Sequence, residues 1–381
     1  MNRLCYLLFI LSFLSCKESR INYLSNDMSV VIYDSIDLPD SRRFSITSFD
    51  TMTNSFVGLF DTAVVCFDEN KERFRFERFG KSEEEYHYAY IVSSKAHLIN
   101  DSVVAINSYG KLKFYSKDGK YLKTVLIDNS PYYYNRNLMG YHLGEDSLFV
   151  FEGSGPDSLY VMPNEERERR ENPYIFSLDT KNRHIQGYGL GVSQRVLQKE
   201  LVNLFMIKPL CSYNGSEKTC NILFNSDTTL YIYPLDQKEK RKYEKFVLTP
   251  QHYSFPEEHL SRDDEFKRIY QLAQKSVFKN IYTSRDTLIT LYRSCNKIDG
   301  DEYTDQQSIK ELWKKVSANF NRYLEVYINK KKICNDILLP DNYRVRYIGD
   351  MKNILMTKND QELLKDNKVI KRFYFAKIIA N

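Results

Sequence analysis

The sequence predicts an all-β fold, a six-bladed β-propeller with short helical insertions, and three observations predict it. The first is composition: 381 residues, 42% hydrophobic and 28% charged, with 30 Tyr and 23 Phe against 14 Gly and 10 Pro, the balance of a globular chain rich in strand formers. The second is a recurring unit in which Asp and Ser or Thr precede an apolar or alternating run. The third is its spacing, which at its shortest equals the length of one four-stranded blade, about 40 to 50 residues.

The first element is an address. Arg3 precedes an apolar run from Leu4 to Leu14, and Ser15 leads into Cys16, the charged, apolar and small-residue order of a secretory signal. The run is shorter than the roughly 20 residues a bilayer-spanning helix needs. Phe13-Leu14-Ser15-Cys16 resembles a bacterial lipobox with Phe13 in place of the usual Leu, which makes Cys16 the expected lipidated first residue of the mature chain. Lys17-Glu18 resembles a charged export tag, with a solvated linker as the competing reading. The expected organisation is a signal peptide over residues 1–16, a tether over 17–28 and a propeller domain over 29–381. The expected location is the outer membrane, facing the periplasm or the cell surface, with a lipid rather than a helix as the membrane contact.

The repeat then orders the rest of the chain. Its copies start at Asp61, Asp101, Asp146, Asp227 and Asp286, with a weaker one at Asp350, so the starts are separated by 40, 45, 81, 59 and 64 residues. The second copy is the clearest: Val103 to Ile106 and Leu112 to Tyr115 read as strands, Asp118-Gly119 as a hairpin turn and Tyr121 to Ile127 as the return strand. The 81-residue gap has room for an additional blade and leaves seven as an alternative. Within it, Pro173 to Leu178 is assigned to the outer half of the third blade. Val30 to Tyr33 is expected to supply an outer strand to the last blade and close the ring, leaving no open sheet edge. Helical insertions are expected at Thr304–Asn321, with Ile309, Leu312, Trp313, Val316 and Phe320 on one face, at 261–277, and less clearly at 192–205.

The lipobox, the Phe79-Gly80-Lys81 acidic loop, the Asp-Ser strand starts and the Asp118-Gly119 hairpin together resemble the six-bladed, TolB-like β-propeller lipoproteins of Bacteroides-type bacteria. That resemblance implies fold and compartment, because the family is largely of unknown function. Asp-Ser/Thr-apolar triplets such as those at Ser35 and Ser158 also resemble an O-glycosylation signal of such bacteria, although turn chemistry explains most of them.

The search for chemistry is mainly exclusionary. The charge of +5, from 55 basic and 50 acidic residues, implies no polyanion-wide surface, so nucleic acid is excluded as an expected partner. Six histidines show no HxH or HExxH spacing, and no metal centre is expected. No GxSxG elbow or P-loop occurs. No cofactor is expected, apart from calcium as a weak option at Asp299-Gly300-Asp301-Glu302 with Asp305, where a solvated turn competes. Cys211 and Cys220 flank a Gly-Ser turn that is read as setting them opposite each other; a disulfide and two buried thiols remain open alternatives. Tyr109, Tyr132, Tyr133, Tyr134 and Tyr141 are candidates for an aromatic binding face for sugar or peptide, against strand packing. The leading functional expectation is a non-enzymatic binding or interaction module with an envelope protein or glycan partner. The alternative is a metal-dependent hydrolase or lactonase-like enzyme with its site in the central channel.

Overall fold

In the computed structural model, the described residues are 27–39, 44–77, 95–100, 102–108, 111–126, 138–142, 148–152, 175–179, 184–188, 209–224, 227–235, 243–254, 276–295, 311, 320–358, 363–365 and 368–381. They form six antiparallel sheets. Strand β1 (Met28–Pro39) stands apart from its sequence neighbours. The first sheet is β2 (Phe44–Asp50), β3 (Ser55–Phe60), β4 (Ala63–Phe67) and β5 (Glu72–Glu77), and the second is β6 (Ala96–Asn100), β7 (Val103–Ser108), β8 (Lys111–Ser116) and β9 (Tyr121–Leu126). The third holds β10 (Leu138–His142), β11 (Leu148–Glu152), β12 (Ile175–Asp179) and β13 (His184–Tyr188). The fourth holds β14 (Pro209–Asn214), β15 (Thr219–Phe224), β16 (Thr229–Pro234) and β17 (Glu244–Val247). The fifth contains β18 (Val277–Ser284), β19 (Thr287–Cys295), β20 (Phe320–Ile328), β21 (Lys331–Lys332) and β22 (Ile337–Leu338). The last contains β23 (Tyr343–Asp350), β24 (Asn353–Lys358), β25 (Leu363–Lys365) and β26 (Lys368–Ala380).

Apart from β1, the strands of each sheet run outward in chain order from the innermost one, and the innermost strands touch in the cycle β2, β6, β10, β14, β18, β23 and back to β2. The sheets therefore surround an axis as the blades of a β-propeller. Burial follows from that arrangement. The middle strands are covered on both faces by neighbouring sheets, so β3 and β4 are buried at every position and Ala63-Val64-Val65-Cys66-Phe67 can be continuously apolar. Outer strands have a wet face: Phe76 of β5 is buried while Arg73, Arg75 and Glu77 are exposed, and β17 is almost wholly exposed.

Closure comes from the chain ends. β1 pairs with β26 from Met28↔Ala380 to Pro39↔Ile370, which gives the last sheet the order β1-β26-β24-β23. The expected closing strand at Val30 to Tyr33 is thus present and longer than the sequence indicated. Asp37 accepts both Nε and Nη2 of Arg372, at 2.6 and 2.8 Å, and Ser29 Oγ donates to Asn381 Oδ1 at 2.7 Å. The seam between the last and first sheets is aromatic: Phe56, Phe60, Phe67, Phe373 and Phe375 are buried with Leu38, in ring pairs 5.5 to 6.4 Å apart.

The turn chemistry matches the repeat. Asp227 accepts from Thr229 N–H, Asp350 from Lys352 N–H and Asp50 from Thr53 N–H. Gly119 has φ +80°, and an added Cβ would lie 2.8 Å from Phe76 Cβ, so glycine is required by both conformation and space. The motif marks turns rather than a fixed phase, however. It precedes the second strand of a sheet at Asp101, Asp146, Asp286 and Asp350, but the third at Asp61 and Asp227.

Several expectations are corrected or lie elsewhere. No seventh sheet forms among the described residues, and residues 175–179 lie in the outer half of the third sheet as expected. The helix expected over Thr304–Asn321 overruns its bounds: Glu311 is helical, but Phe320 and Asn321 belong to β20. Leu324 and Val326 face one interface and Tyr323 and Tyr327 another, an alternation that favours a doubly buried strand over the 3.6-residue reading. Val277 likewise opens β18. The remainder of the three expected helices, residues 1–26 with Cys16, and the acidic stretch at Asp299–Asp305 lie outside the described residues.

Two expectations follow. Leu38→Ala, at a residue 1% exposed, should lower unfolding free energy by about 2–4 kcal/mol in denaturant titration; a loss below about 1 kcal/mol would show that β1 is not integral to the core. Asp68 gives a pH test. Burial pulls its carboxyl upward, but the N–H groups of Lys71 and Asn70 and the Arg73 guanidinium outweigh this and hold it below 3.8. A depressed folded pKa stabilises above the unfolded value and is lost as pH falls through the folded one. Wild type should therefore exceed Asp68→Asn by about 1 kcal/mol at neutral pH, with the two stability curves converging below pH 3.8.

Candidate functional site

The inner strands enclose a cavity of about 350 Å³ on the axis of the ring. Among the described residues, its wall draws on Thr47 to Asp50 of β2, His97 of β6, Ser212 and Tyr213 of β14, Asn280 to Ser284 of β18, and Tyr347 to Gly349 of β23. The contributing segments are mostly the later halves of those strands and their turns. Inner strands cannot be covered by another sheet on the axial side, so their axial positions accept polar side chains.

Much of the wall is fixed by its own hydrogen bonds. Thr47 Oγ1 and Ser48 Oγ both donate to Ala96 O, at 2.6 and 3.1 Å, tying the first sheet to the second. Asn280 Oδ1 accepts from Ile281 N–H at 2.9 Å and its Nδ2 donates to Tyr282 OH at 2.8 Å. Thr283 Oγ1 donates to Ser212 Oγ at 3.3 Å across the fourth and fifth sheets. Tyr282 and Tyr347 meet edge to face with centroids 5.6 Å apart. Tyr213 differs, because its hydroxyl is buried and has no hydrogen-bond partner among the described residues. A buried polar atom left in this way costs about 1–3 kcal/mol, and the Tyr213 ring packs against the cluster that holds Cys220 and Tyr233.

The wall is chemically mild. Burial pushes the Tyr213 phenol up to about 12, with Cys220 adding to the shift, and burial does the same to Tyr347. Burial also raises Tyr282. These phenols stay neutral at physiological pH and act as hydrogen-bond donors and acceptors, not as nucleophiles. Asp50, Lys95 and His97 are the ionisable groups of other types in the wall besides Cys211. Among the described residues, no three His, Cys, Asp or Glu side chains gather in a way that could hold a metal.

Of the residues singled out from the sequence, Cys211 lines this cavity. Tyr141 lies on β10, the inner strand of the third sheet. Tyr109, Tyr132, Tyr133 and Tyr134 lie outside the described residues. The expected Cys211–Cys220 alignment is corrected: both thiols are free. The hairpin closes on Asn214↔Thr219, which places Cys220 opposite Tyr213 and Cys211 opposite Ile222, two positions out of register. Cys211 borders the cavity and packs against the cluster at the interface with the third sheet in which Cys220 is fully buried. Reading the four-residue turn Gly215–Lys218, with Lys218 at φ 51°, as a two-residue turn produced the error. The cavity residues carried no sequence signal, since they converge from positions 47 to 349.

Comparison with known proteins adds the fold and stops there. No protein-family model matches the chain, and no curated protein matches it. A solved member of the duf4221 family from Bacteroides vulgatus is similar at a TM-score of 0.59 and 12% identity, over 94% of this chain and 100% of that one. The likeness is one of fold. An exported protein of Bacteroides fragilis aligns at a TM-score of 0.49 and 11% identity, covering 93% and 95% of the two chains. The β-propeller domain of Cps50 from Myceliophteria thermophila aligns at 0.43 and 9%, covering 91% and 99%.

Gly349 gives the site its most specific structural test. A Cβ there would lie 2.3 Å from Phe49 Cδ1, so β23 and β2 approach across the ring seam only because this position has no side chain. Gly349→Ala should cost about 1–3 kcal/mol in denaturant titration, and an unchanged midpoint would show that the seam is looser than this packing.

Proposed function

We propose that the chain is a lipid-anchored, non-enzymatic binding module of the cell envelope, a six-bladed propeller that receives a small uncharged polyhydroxylated ligand of the sugar class in its axial cavity. The observation that carries this reading is the axial cavity itself, whose wall presents the hydroxyl and amide side chains of Ser48, Ser212, Asn280 and Thr283 beside Asp50, Lys95 and His97. A volume of about 350 Å³ lies within the 300–1,000 Å³ range usual for small-molecule sites. Serine, threonine, asparagine and neutral tyrosine match the alternating donors and acceptors of a sugar, and the Tyr282–Tyr347 pair supplies apolar surface beside them. Each sheet is counted as one blade, and the cycle of innermost strands supports six.

Anchoring at Cys16 and an outer-membrane location, on the periplasmic or outer face, belong to the same proposal and rest on the signal-like N-terminus. The alternative, a metal-dependent hydrolase or lactonase-like enzyme, needs a convergent ligand set, which the described part of the wall does not assemble. Calcium has no assigned place in the cavity.

A thermal-shift screen of the purified chain against neutral mono- and disaccharides tests the binding reading. At least one sugar is expected to raise the unfolding temperature of wild type, and Ser212→Ala and Asn280→Leu should reduce or abolish that shift. Tyr213→Phe should not itself destabilise the free protein, because it removes a buried hydroxyl that lacks a partner. A shift unaffected by both Ser212→Ala and Asn280→Leu, or none with any sugar, would overturn the sugar assignment. In cell fractionation, Cys16→Ala should move the chain from membrane to soluble fractions; continued membrane retention would overturn the lipid anchor.

A further inference from the structure

Away from the cavity, the fifth and sixth sheets bring arginines together. Arg293 and Arg322 are direct cross-strand partners on β19 and β20, and Arg293 lies opposite Val277 at the start of β18. Arg344 and Arg346 lie near the start of β23. The site is thus at the beginning of the inner strands, whereas the cavity occupies their later halves. Both Arg293 and Arg322 lie over the Phe320 ring, with guanidinium carbons 5.2 and 4.6 Å from its centroid. Arg322 Nη1 donates to Tyr343 O at 3.2 Å, which bridges the two sheets next to Arg344. Arg346 Nε donates to Thr357 Oγ1 at 2.7 Å and its guanidinium lies 5.0 Å from the Phe44 centroid, with Lys371 Nζ at 5.4 Å from the same ring.

Such a grouping is unfavourable by itself. Like charges opposite each other on a sheet destabilise it, and Arg322 and Arg346 are only partly exposed. Burial and the neighbouring arginines depress the basicity of both. Ion pairs among the described residues engage Arg73, Arg75 and Arg372, but none engages Arg322, Arg344 or Arg346. Aromatic rings and single neutral acceptors hold the Arg322 and Arg346 guanidinium groups in place while leaving most of their N–H donors unspent. A ligand with several anionic oxygens fits that donor set, because guanidinium forks bind phosphoryl oxygens in pairs.

We propose that Arg322, Arg344 and Arg346 form an oxyanion site for a phosphoryl group, separate from the axial cavity. The phosphoryl group is either that of a soluble phosphate compound or that of a lipid headgroup, and the test separates these sources.

Calorimetric titration of the full chain with pyrophosphate and inorganic phosphate, at matched ionic strength, is the first arm. Binding is expected, with pyrophosphate the tighter, and Arg344→Gln plus Arg346→Gln should weaken it by about tenfold or more. In the second arm the chain is sedimented with phosphatidylcholine vesicles with and without phosphatidylglycerol. Binding that requires phosphatidylglycerol, is lost in the double variant and occurs without affinity for free pyrophosphate would assign the headgroup. Arg344 is exposed, so Arg344→Gln alone serves if the double variant does not fold. Without anion, this variant should be at least as stable as wild type, because it relieves repulsion, and pyrophosphate should raise the unfolding temperature of wild type more than its own. Absence of binding in both arms, equal binding by wild type and variants, or a loss of stability in Arg344→Gln without anion would overturn the proposal.

Discussion

The pairing of Met28–Pro39 with Lys368–Ala380 is the constraint on which the rest of the molecule depends. It joins segments more than 300 residues apart in sequence, and its closure entropy is recovered only if the whole ring forms. Without it the last sheet would end in the open edge of β26, and the seam between the last and first sheets would lose Leu38 from its phenylalanine cluster. The Asp37–Arg372 fork and the hydrogen bonds of the terminal residues fix the register, while the apolar side chains supply the larger stabilisation.

Closure also creates the axial space. Six sheets in a cycle leave their innermost strands facing one another with no further layer to cover them, so polar side chains accumulate there. The approach of β23 to β2 at Gly349 and Phe49 sets the width of the cavity on one side, and the Thr47 and Ser48 bonds to Ala96 set it on the next. The polar lining of the axis is therefore a by-product of how the ring closes. The arginine group has a different origin. It arises where the starts of two inner strands and the adjoining strand ends converge, so a group of positive charges and a hydroxyl-rich wall stand at different levels of one scaffold.

The strand framework was legible in the sequence because it rests on local rules. Asp with Ser or Thr signals a turn whose side chains bond the backbone, Asp118-Gly119 needs the positive φ that Gly119 adopts, and a β-branched run such as Val30-Val31-Ile32 fits an outer strand. What was not legible depends on register or convergence. Cys211 and Cys220 missed each other by two positions because turn length cannot be read from turn composition. Phe320 matched a helical face by spacing, yet its strand is covered on both sides, which only tertiary packing determines. The cavity wall and the arginine group are assembled from strands scattered over most of the chain, and no short motif could announce either. Tyr213, Tyr282 and Tyr347, the tyrosines of the axial wall among the described residues, lie far apart in the sequence and form no cluster there.

Native-state hydrogen exchange read strand by strand addresses the central claim most directly. If β1 is an integral strand of the closing sheet, the amides of Val30 to Leu38 that bond β26 should exchange through global unfolding, with protection equal to that of β24 and β26. Rapid exchange across β1 while β24 remains protected would show that the ring stands without its closing strand, and would contradict the account.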